Sequence, residues 1–283
     1  MSERRFASLT LLPGAAWLVL LFLVPLAITL AISFGTTDEL GNALYGWNPE
    51  NYSRAFDPLF APVLLRSVAY AFGTVSLCLL IGYPVAYYIA RFGGRFKYLL
   101  VALVVLPFLV NYLIRVYAWV AILSDEGLVN GFLVDIGLTT DGVRFLNTPY
   151  AVIGGLVYGY MAFMILPVYA ALDRMDSSLI EAGKDLYANG WQTFRHVTWP
   201  ATFQGVLAGA VLVFLPAVGD FISAQLLGGP DTYMVGNLIQ QQFFEANNFP
   251  FGAALTTVLM AFLLIFMVFY LRSAGRAAEE ARA

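Results

Sequence analysis

Arg115 and Asp220 are the two ionisable residues that fall deep inside long apolar stretches of this 283-residue chain, and a third carboxylate, Glu181, opens a patterned polar stretch. A charge at membrane depth costs at least about 2.5–3.5 kcal/mol, so each such residue needs a partner or a task. Two tasks are open to the pair. In one, Arg115 and Asp220 form a structural ion pair or snorkel to an interface. In the other, Asp220 faces a solute pathway and attracts a cation while Arg115 tunes the field, with Tyr112, Tyr117 and Trp119 as aromatic walls or interfacial anchors. The remaining chemistry is sparse. Cys78 is the one cysteine and His196 the one histidine, so no intrachain disulfide and no zinc cluster is expected, and the expected metal set is empty. Neither H-E-x-x-H nor the phosphate-binding G-x-x-x-x-G-K-[ST] occurs, which leaves this chain without its own ATPase. A formal net charge of −3 gives no reason to expect a nucleic-acid partner.

The elements that hold these residues follow from where charges are missing. Hydrophobic residues make up 60% of the chain and charged ones 12%, about half the share of a soluble domain. Residues 6–37, 67–90, 145–172 and 246–271 contain no Asp, Glu, Lys or Arg. Each exceeds the roughly 20 residues a helix needs to cross a bilayer, and the alternating strands of a membrane barrel are missing. The expected fold is an all-α integral membrane protein with six transmembrane helices at about 13–35, 65–90, 98–123, 149–172, 204–227 and 251–271. Arg115 and Asp220 then stand some 17 and 16 residues into outward-running spans, at similar depth. Pro216 and Gly219 mark a point where the fifth span kinks or unwinds.

Orientation follows from the basic residues. With the N-terminus inside, the inner segments hold Arg4, Arg5, Arg91, Arg95, Lys97, Arg174, Lys184, Arg195, Arg272, Arg276 and Arg282, and the outer ones only Arg54, Arg66 and Arg144. This predicts both termini on the cytoplasmic side. Acidic residues, among them Asp38, Glu39, Glu50, Asp57, Asp125, Glu126, Asp135, Asp141, Asp231 and Glu245, gather on the outer side. The apolar run after Arg4-Arg5 is about twice a signal h-region, so a retained first span is expected.

One inner connection, residues 173–203, is too long for a mere link. Ser178 and Glu181 read as a capping box that starts a helix near Leu179. Asn189-Gly190 reads as a turn, and Trp191–Val197 as a second short helix ending before Pro200. Glu181-Ala182-Gly183, running on to Trp199-Pro200 between the fourth and fifth of six spans, resembles the Glu-Ala-Ala signature of permease subunits of type I ABC importers. Gly183 replaces the third-position alanine, and Tyr187 stands where the family glycine usually falls.

The resemblance implies a type I permease fold whose loop 173–203 is a cytoplasmic coupling helix, with Glu181, Ala182, Gly183, Asp185, Leu186, Gly190 and Pro200 meeting an ATPase. Residues 1–62 would be the first helix and outer loop, 63–272 the five-helix transmembrane domain, and 273–283 a cytoplasmic tail. Residues 106–119 and 215–255 are similar to the spermidine/putrescine class of these permeases. That class implies two ATPase subunits carrying Mg-ATP, a second homologous permease, an extracytoplasmic solute-binding protein and a bacterial inner-membrane location. No cofactor is expected on this chain itself. Putrescine or spermidine is the expected cargo, with another organic cation, amine or metal chelate as alternatives. An ion-coupled secondary transporter or channel is the competing class, although such proteins usually carry several intramembrane carboxylates.

Overall fold

The computed structural model describes residues 12–14, 16–38, 41–140, 142–185 and 187–280. The expected basic residues Arg4, Arg5 and Arg282, the acidic residues Glu39 and Asp141, and the loop residue Leu186 lie outside them. The chain forms two compact units, Met1–Pro62 with Leu238–Leu264, and Val63–Asn237 with Ile265–Ala283.

In the first unit, α1 (Leu12–Ser33) is apolar on all sides, with no face turned into a core. It leads into a two-strand hairpin of β1 (Thr36–Thr37) and β2 (Ala43–Leu44), then α2 (Glu50–Ala55). Buried Asn51 donates to the Ser33 and Gly35 carbonyls, both at 3.0 Å, closing the end of α1 that has no helical partners of its own. Arg54 and Phe60 both pack on the Phe251 ring, at 4.5 and 5.1 Å.

The second unit holds α3 (Ala61–Phe92), α4 (Lys97–Val105), α5 (Tyr112–Leu123), α6 (Leu128–Asp135) and α7 (Pro149–Arg174). After α8 (Ser178–Asp185) come α9 (Gly190–Gly219), α10 (Ile222–Leu227), α11 (Val235–Phe244) and α12 (Phe249–Glu280); α3, α11 and α12 run across the unit boundaries. Its core is the seam between α7 and α9, where Met164, Val168, Leu172, Val206 and Val213 are buried together. Glycine makes that seam close: a Cβ on Gly205 would stand 2.8 Å from the Pro167 carbonyl, and one on Gly209 3.2 Å from the Met164 Cα. Small residues at such crossings let helix backbones approach in lipid, where no hydrophobic effect drives them together.

Among the described residues, five helices are long and apolar enough to cross a membrane, or six if one bent pair counts as a span. The bent pair corrects the expected third span, 98–123. Its helix stops in a 3-10 turn at Leu106–Leu109, and the next begins at Tyr112, with the two arms 90° apart. Pro107 is the second residue of that 3-10 turn, Val110 is extended, and Asn111 caps α5 by accepting from the Leu113 amide at 2.9 Å. Lys97–Leu109, at 1.5 Å per residue, reaches only about 20 Å and does not cross on its own.

The fifth span is corrected at both ends. It runs unbroken from Gly190 to Gly219, so Pro200 does not end a short helix. A π-helical turn at Phe194–Thr198 precedes Pro200 and loosens the coil where the proline ring and its missing N–H would break a regular ladder. The helix stops after Gly219, where Asp220 turns extended (φ −66°, ψ 122°), and α10 follows as a separate piece.

Candidate functional sites

The patterned loop folds as two helices held at an angle by local bonds. Ser178 is the first residue of α8, not its cap, and the side chain that meets the start of the helix is that of Asp176. The Asp176 carboxylate accepts from the Ser178 amide at 2.9 Å, and Ser178 is already helical. The Ser178 amide first, and then the Ser178 hydroxyl, hold the Asp176 carboxyl below its usual range. The reciprocal capping box lies one helix later. Asn189 Oδ1 accepts from the Gln192 amide at 2.8 Å, and Gln192 Oε1 accepts from the Asn189 amide at 2.9 Å.

The bend falls at Tyr187 and not at Asn189-Gly190. Tyr187 takes a left-handed φ of 59°, and the Ala188 amide reaches back five residues to the Gly183 carbonyl at 3.1 Å. This is the glycine-type helix ending built around a tyrosine. The Tyr187 side chain is 97% exposed, so its burial offsets almost none of the strain of that conformation. Glu181, Ala182, Asp185, Gly190 and Pro200 are exposed, whereas Gly183 is buried against Thr193. Gly183, Tyr187, Gln192, Thr193 and His196 line a shallow groove between the two helices.

The intramembrane charges meet in the second unit, joined by a tyrosine and not paired with each other. Asp220 is 6% exposed. Its Oδ2 accepts from the Tyr112 hydroxyl and, at 2.7 Å, from the Tyr160 hydroxyl, while its Oδ1 accepts from the Ser223 amide at 2.8 Å. Tyr112 Oη also lies 2.6 Å from Ser223 Oγ. One carboxylate thus ties α5, α7 and α10 to the end of α9. The approach of Tyr112 depends on Gly159, since a Cβ there would stand 2.9 Å from the ring.

Arg115 is 8% exposed, and no ion pair joins it to Asp220 among the described residues. Its guanidinium lies over the rings of Phe108 at 4.9 Å, Tyr112 at 5.3 Å and Tyr158 at 5.9 Å. Cation–π contact offsets part of its burial, but Nε and Nη1 have no hydrogen-bond partner. Trp119 is half-buried with its ring edge against Tyr158, at 5.5 Å, and Tyr117 is 55% exposed away from the cluster. The sequence pointed to Arg115, Asp220 and Tyr112. It missed Phe108, Tyr158, Tyr160 and Ser223, of which only Ser223, three residues after Asp220 at a helix start, carries a local signal.

Residues 79–277 match the family of binding-protein-dependent transport system inner membrane components. The chain belongs to this family. It is 42% identical over 270 residues to the spermidine/putrescine transport system permease protein PotB of Haemophilus influenzae, covering 94% of each chain. To PotB of Escherichia coli strain K12 it is 37% identical over 257 residues, covering 91% of this chain and 94% of that one. Among solved structures, a chain of a bacterial ABC transporter involved in the import of the acidic polysaccharide alginate superposes with a TM-score of 0.73 at 21% identity. That match covers 96% of this chain and 95% of the other, and it speaks for the fold alone. The permease is therefore a multi-pass inner-membrane subunit of the type I ABC importer fold, and the ion-coupled alternative is set aside.

Proposed function

We propose that this permease forms half of the translocation pathway of an ATP-driven polyamine importer, beside a second, homologous permease. Putrescine or spermidine arrives on an extracytoplasmic binding protein, and two separate ATPase subunits hydrolyse Mg-ATP. The observation that carries the cargo is the 42% identity, over 94% of both chains, to a spermidine/putrescine permease. The outer segments agree with it in charge: Glu50, Asp57, Asp125, Glu126, Asp135, Asp231 and Glu245 favour the approach of a polycation.

Both termini and loop 173–203 lie in the cytoplasm, as the distribution of Lys and Arg supports. The exposed residues of the loop, Glu181, Ala182, Asp185, Tyr187 and Gly190, enter a groove on an ATPase subunit, with Leu186 and Gly183 in the same two-helix lever and Pro200 at its root. Closure of the ATPase pair draws the levers together and rocks the spans from inward-facing to outward-facing. The energy is the ATPase's differential affinity for the two states. In the pathway, the exposed face of α5 that carries Tyr117 forms wall, while Arg115, Asp220, Tyr112 and Trp119 stand behind it and set its potential.

The test is reconstitution of the complex of both permeases and the ATPase pair in proteoliposomes, with the binding protein loaded in turn with putrescine, spermidine, another organic cation or a metal chelate. ATP hydrolysis and polyamine uptake should rise together. Uptake of a different cargo would replace the polyamine assignment, and uptake driven by an ion gradient without ATP would overturn the whole reading. Orientation is tested in a Cys78→Ala background: an impermeant maleimide should label Trp47→Cys from outside and leave Arg95→Cys unlabelled.

A further inference from the structure

Arg115 and Asp220 carry opposite charges, are each more than nine-tenths buried, share contact with one tyrosine, and yet do not pair. Asp220 is fully bonded by neutral donors: two phenol hydroxyls and an amide. Arg115 lies against three ring faces, and its Nε and Nη1 are buried with no hydrogen-bond partner. Two guanidinium nitrogens sealed from water without acceptors are a costly arrangement, retained most readily where another conformation supplies those acceptors.

We propose that Asp220 is the shared acceptor of a two-position latch. In the conformation described here its carboxylate is held by Tyr112 and Tyr160; in the opposite limb of the transport cycle it is held by the Arg115 guanidinium. This rests on the transporter reading above. Tyr112 is the piece common to both positions, because its hydroxyl donates to Asp220 while its ring lies under Arg115, three residues on along the same helix. A movement of α5 that withdraws the Tyr112 hydroxyl opens one acceptor position on the Asp220 carboxylate and shifts Arg115, on the same helix, relative to it.

The structure offers pivots at both places where movement is needed. α5 begins at the extended Val110-Asn111 link, across which the helix direction changes by 90°, and Asp220 is itself the extended break between α9 and α10. Such short non-helical links absorb the dihedral change of a hinge. Tyr160, on α7, is a positioning residue for one state only. Arg115 is a positioning residue for the other.

The experiment uses the assembled complex of both permeases and ATPases, melted without nucleotide and again after trapping with vanadate and Mg-ATP. Without nucleotide, Asp220→Asn and Tyr160→Phe should lower the melting temperature, and Arg115→Met should leave it unchanged or raise it. In the trapped state, Arg115→Met and Asp220→Asn should each lower it by a similar amount, the double variant should lose no more than either, and Tyr160→Phe should match wild type. Uptake by Arg115→Met should fall about fivefold or more at unchanged half-saturation for loaded binding protein. Arg115→Gln serves as the second variant under the same criteria.

Arg115 variants that melt early without nucleotide, or losses at Arg115 and Asp220 that simply add in the trapped state, would overturn the latch. So would failure of both Arg115 variants to assemble, because the guanidinium would then be needed in the present conformation. A wild-type complex in which ATP hydrolysis and uptake are not linked would instead refute the transporter reading on which the latch stands.

Discussion

Tyr187→Gly should stabilise the tip of loop 173–203, although tyrosine looks like the residue with more to contribute. The native tyrosine sits at φ 59°, a left-handed conformation that costs an L-residue with a Cβ roughly 1–2 kcal/mol. With 97% of the side chain exposed, its removal forfeits almost no burial within the chain. Against that relief stands the larger freedom that glycine gives the unfolded loop, about 0.4–1 kcal/mol. The net gain is about 0.5–1 kcal/mol, or roughly two- to fivefold in the local opening equilibrium.

The reporter is the Ala188 amide, whose bond to the Gly183 carbonyl closes the helix end. Hydrogen exchange of the loop peptide in the isolated permease should slow by that factor in Tyr187→Gly. It should not slow in Tyr187→Ala, which keeps the Cβ and hence the strain. Equal protection in the two variants would refute the reasoning, because the strain would then have no energetic weight. A second reading separates stability from use. If the strained tyrosine is kept for its contact with an ATPase, Tyr187→Gly should co-purify less ATPase while its loop is the more protected.

Glu181→Ala should weaken ATPase docking about tenfold and let hydrolysis proceed without uptake, as expected for a buried anchor in an interface; unchanged co-purification and unchanged uptake would remove Glu181 from the contact. Gly205→Leu places a branched side chain against the Pro167 carbonyl and should destabilise the α7–α9 seam by about 1–3 kcal/mol, read as an earlier thermal transition in detergent. An unchanged transition would mean the helices are not in close approach there. The Asp176 cap should be pH-dependent. Its folded carboxyl titrates below the unfolded value of about 3.9, so its stabilisation is present above that value and is lost as pH falls through the lower folded one. Protection of the α8 amides, corrected for intrinsic exchange, should hold from neutral pH to about 5 and decline below 4; the Asp176→Asn variant should lack the decline.

How much of this was readable in advance depended on whether one rule decided the outcome. Lipid imposes a single demand, that every backbone group be bonded within the segment, and the uncharged runs around α3 and α7 met it with helices ending within a few residues of expectation, while α12 starts near its expected residue and runs on to Glu280. The same rule hid the break between α4 and α5. Asn111 is one polar residue in an apolar run, and hydropathy averages it away. Its capping role appears only because Pro107 has already ended the preceding ladder. In the loop, Ser178 and Asp176 are both competent caps, and sequence alone does not decide which carries the first turn. Tyr187 departs from the family pattern, but no local signal marks its left-handed φ. Bending is cheapest at Gly190, whereas the six-residue closure from Gly183 to Ala188 puts the left-handed residue at Tyr187.

The charge cluster was half legible for a more instructive reason. Counting residues along straight spans put Arg115 and Asp220 at one depth, and they do share a site, but the count itself does not hold, because α5 meets the preceding arm at 90°. Opposite charges at one depth suggest an ion pair only when nothing else competes for the carboxylate. Here two phenols and an amide compete and prevail, and they lie 108, 60 and 3 residues away from Asp220. Tyrosine near a membrane boundary is ordinarily an anchor with its hydroxyl toward water. What separates Tyr112 and Tyr160 from that class is the direction of the hydroxyl, which no local pattern encodes and which Gly159 permits by leaving room for the Tyr112 ring. The cation left without acceptors is thus a consequence of the carboxylate's better-placed neutral partners. That inequality, and not the mere presence of two buried charges, gives this part of the permease a reason to exist in two arrangements.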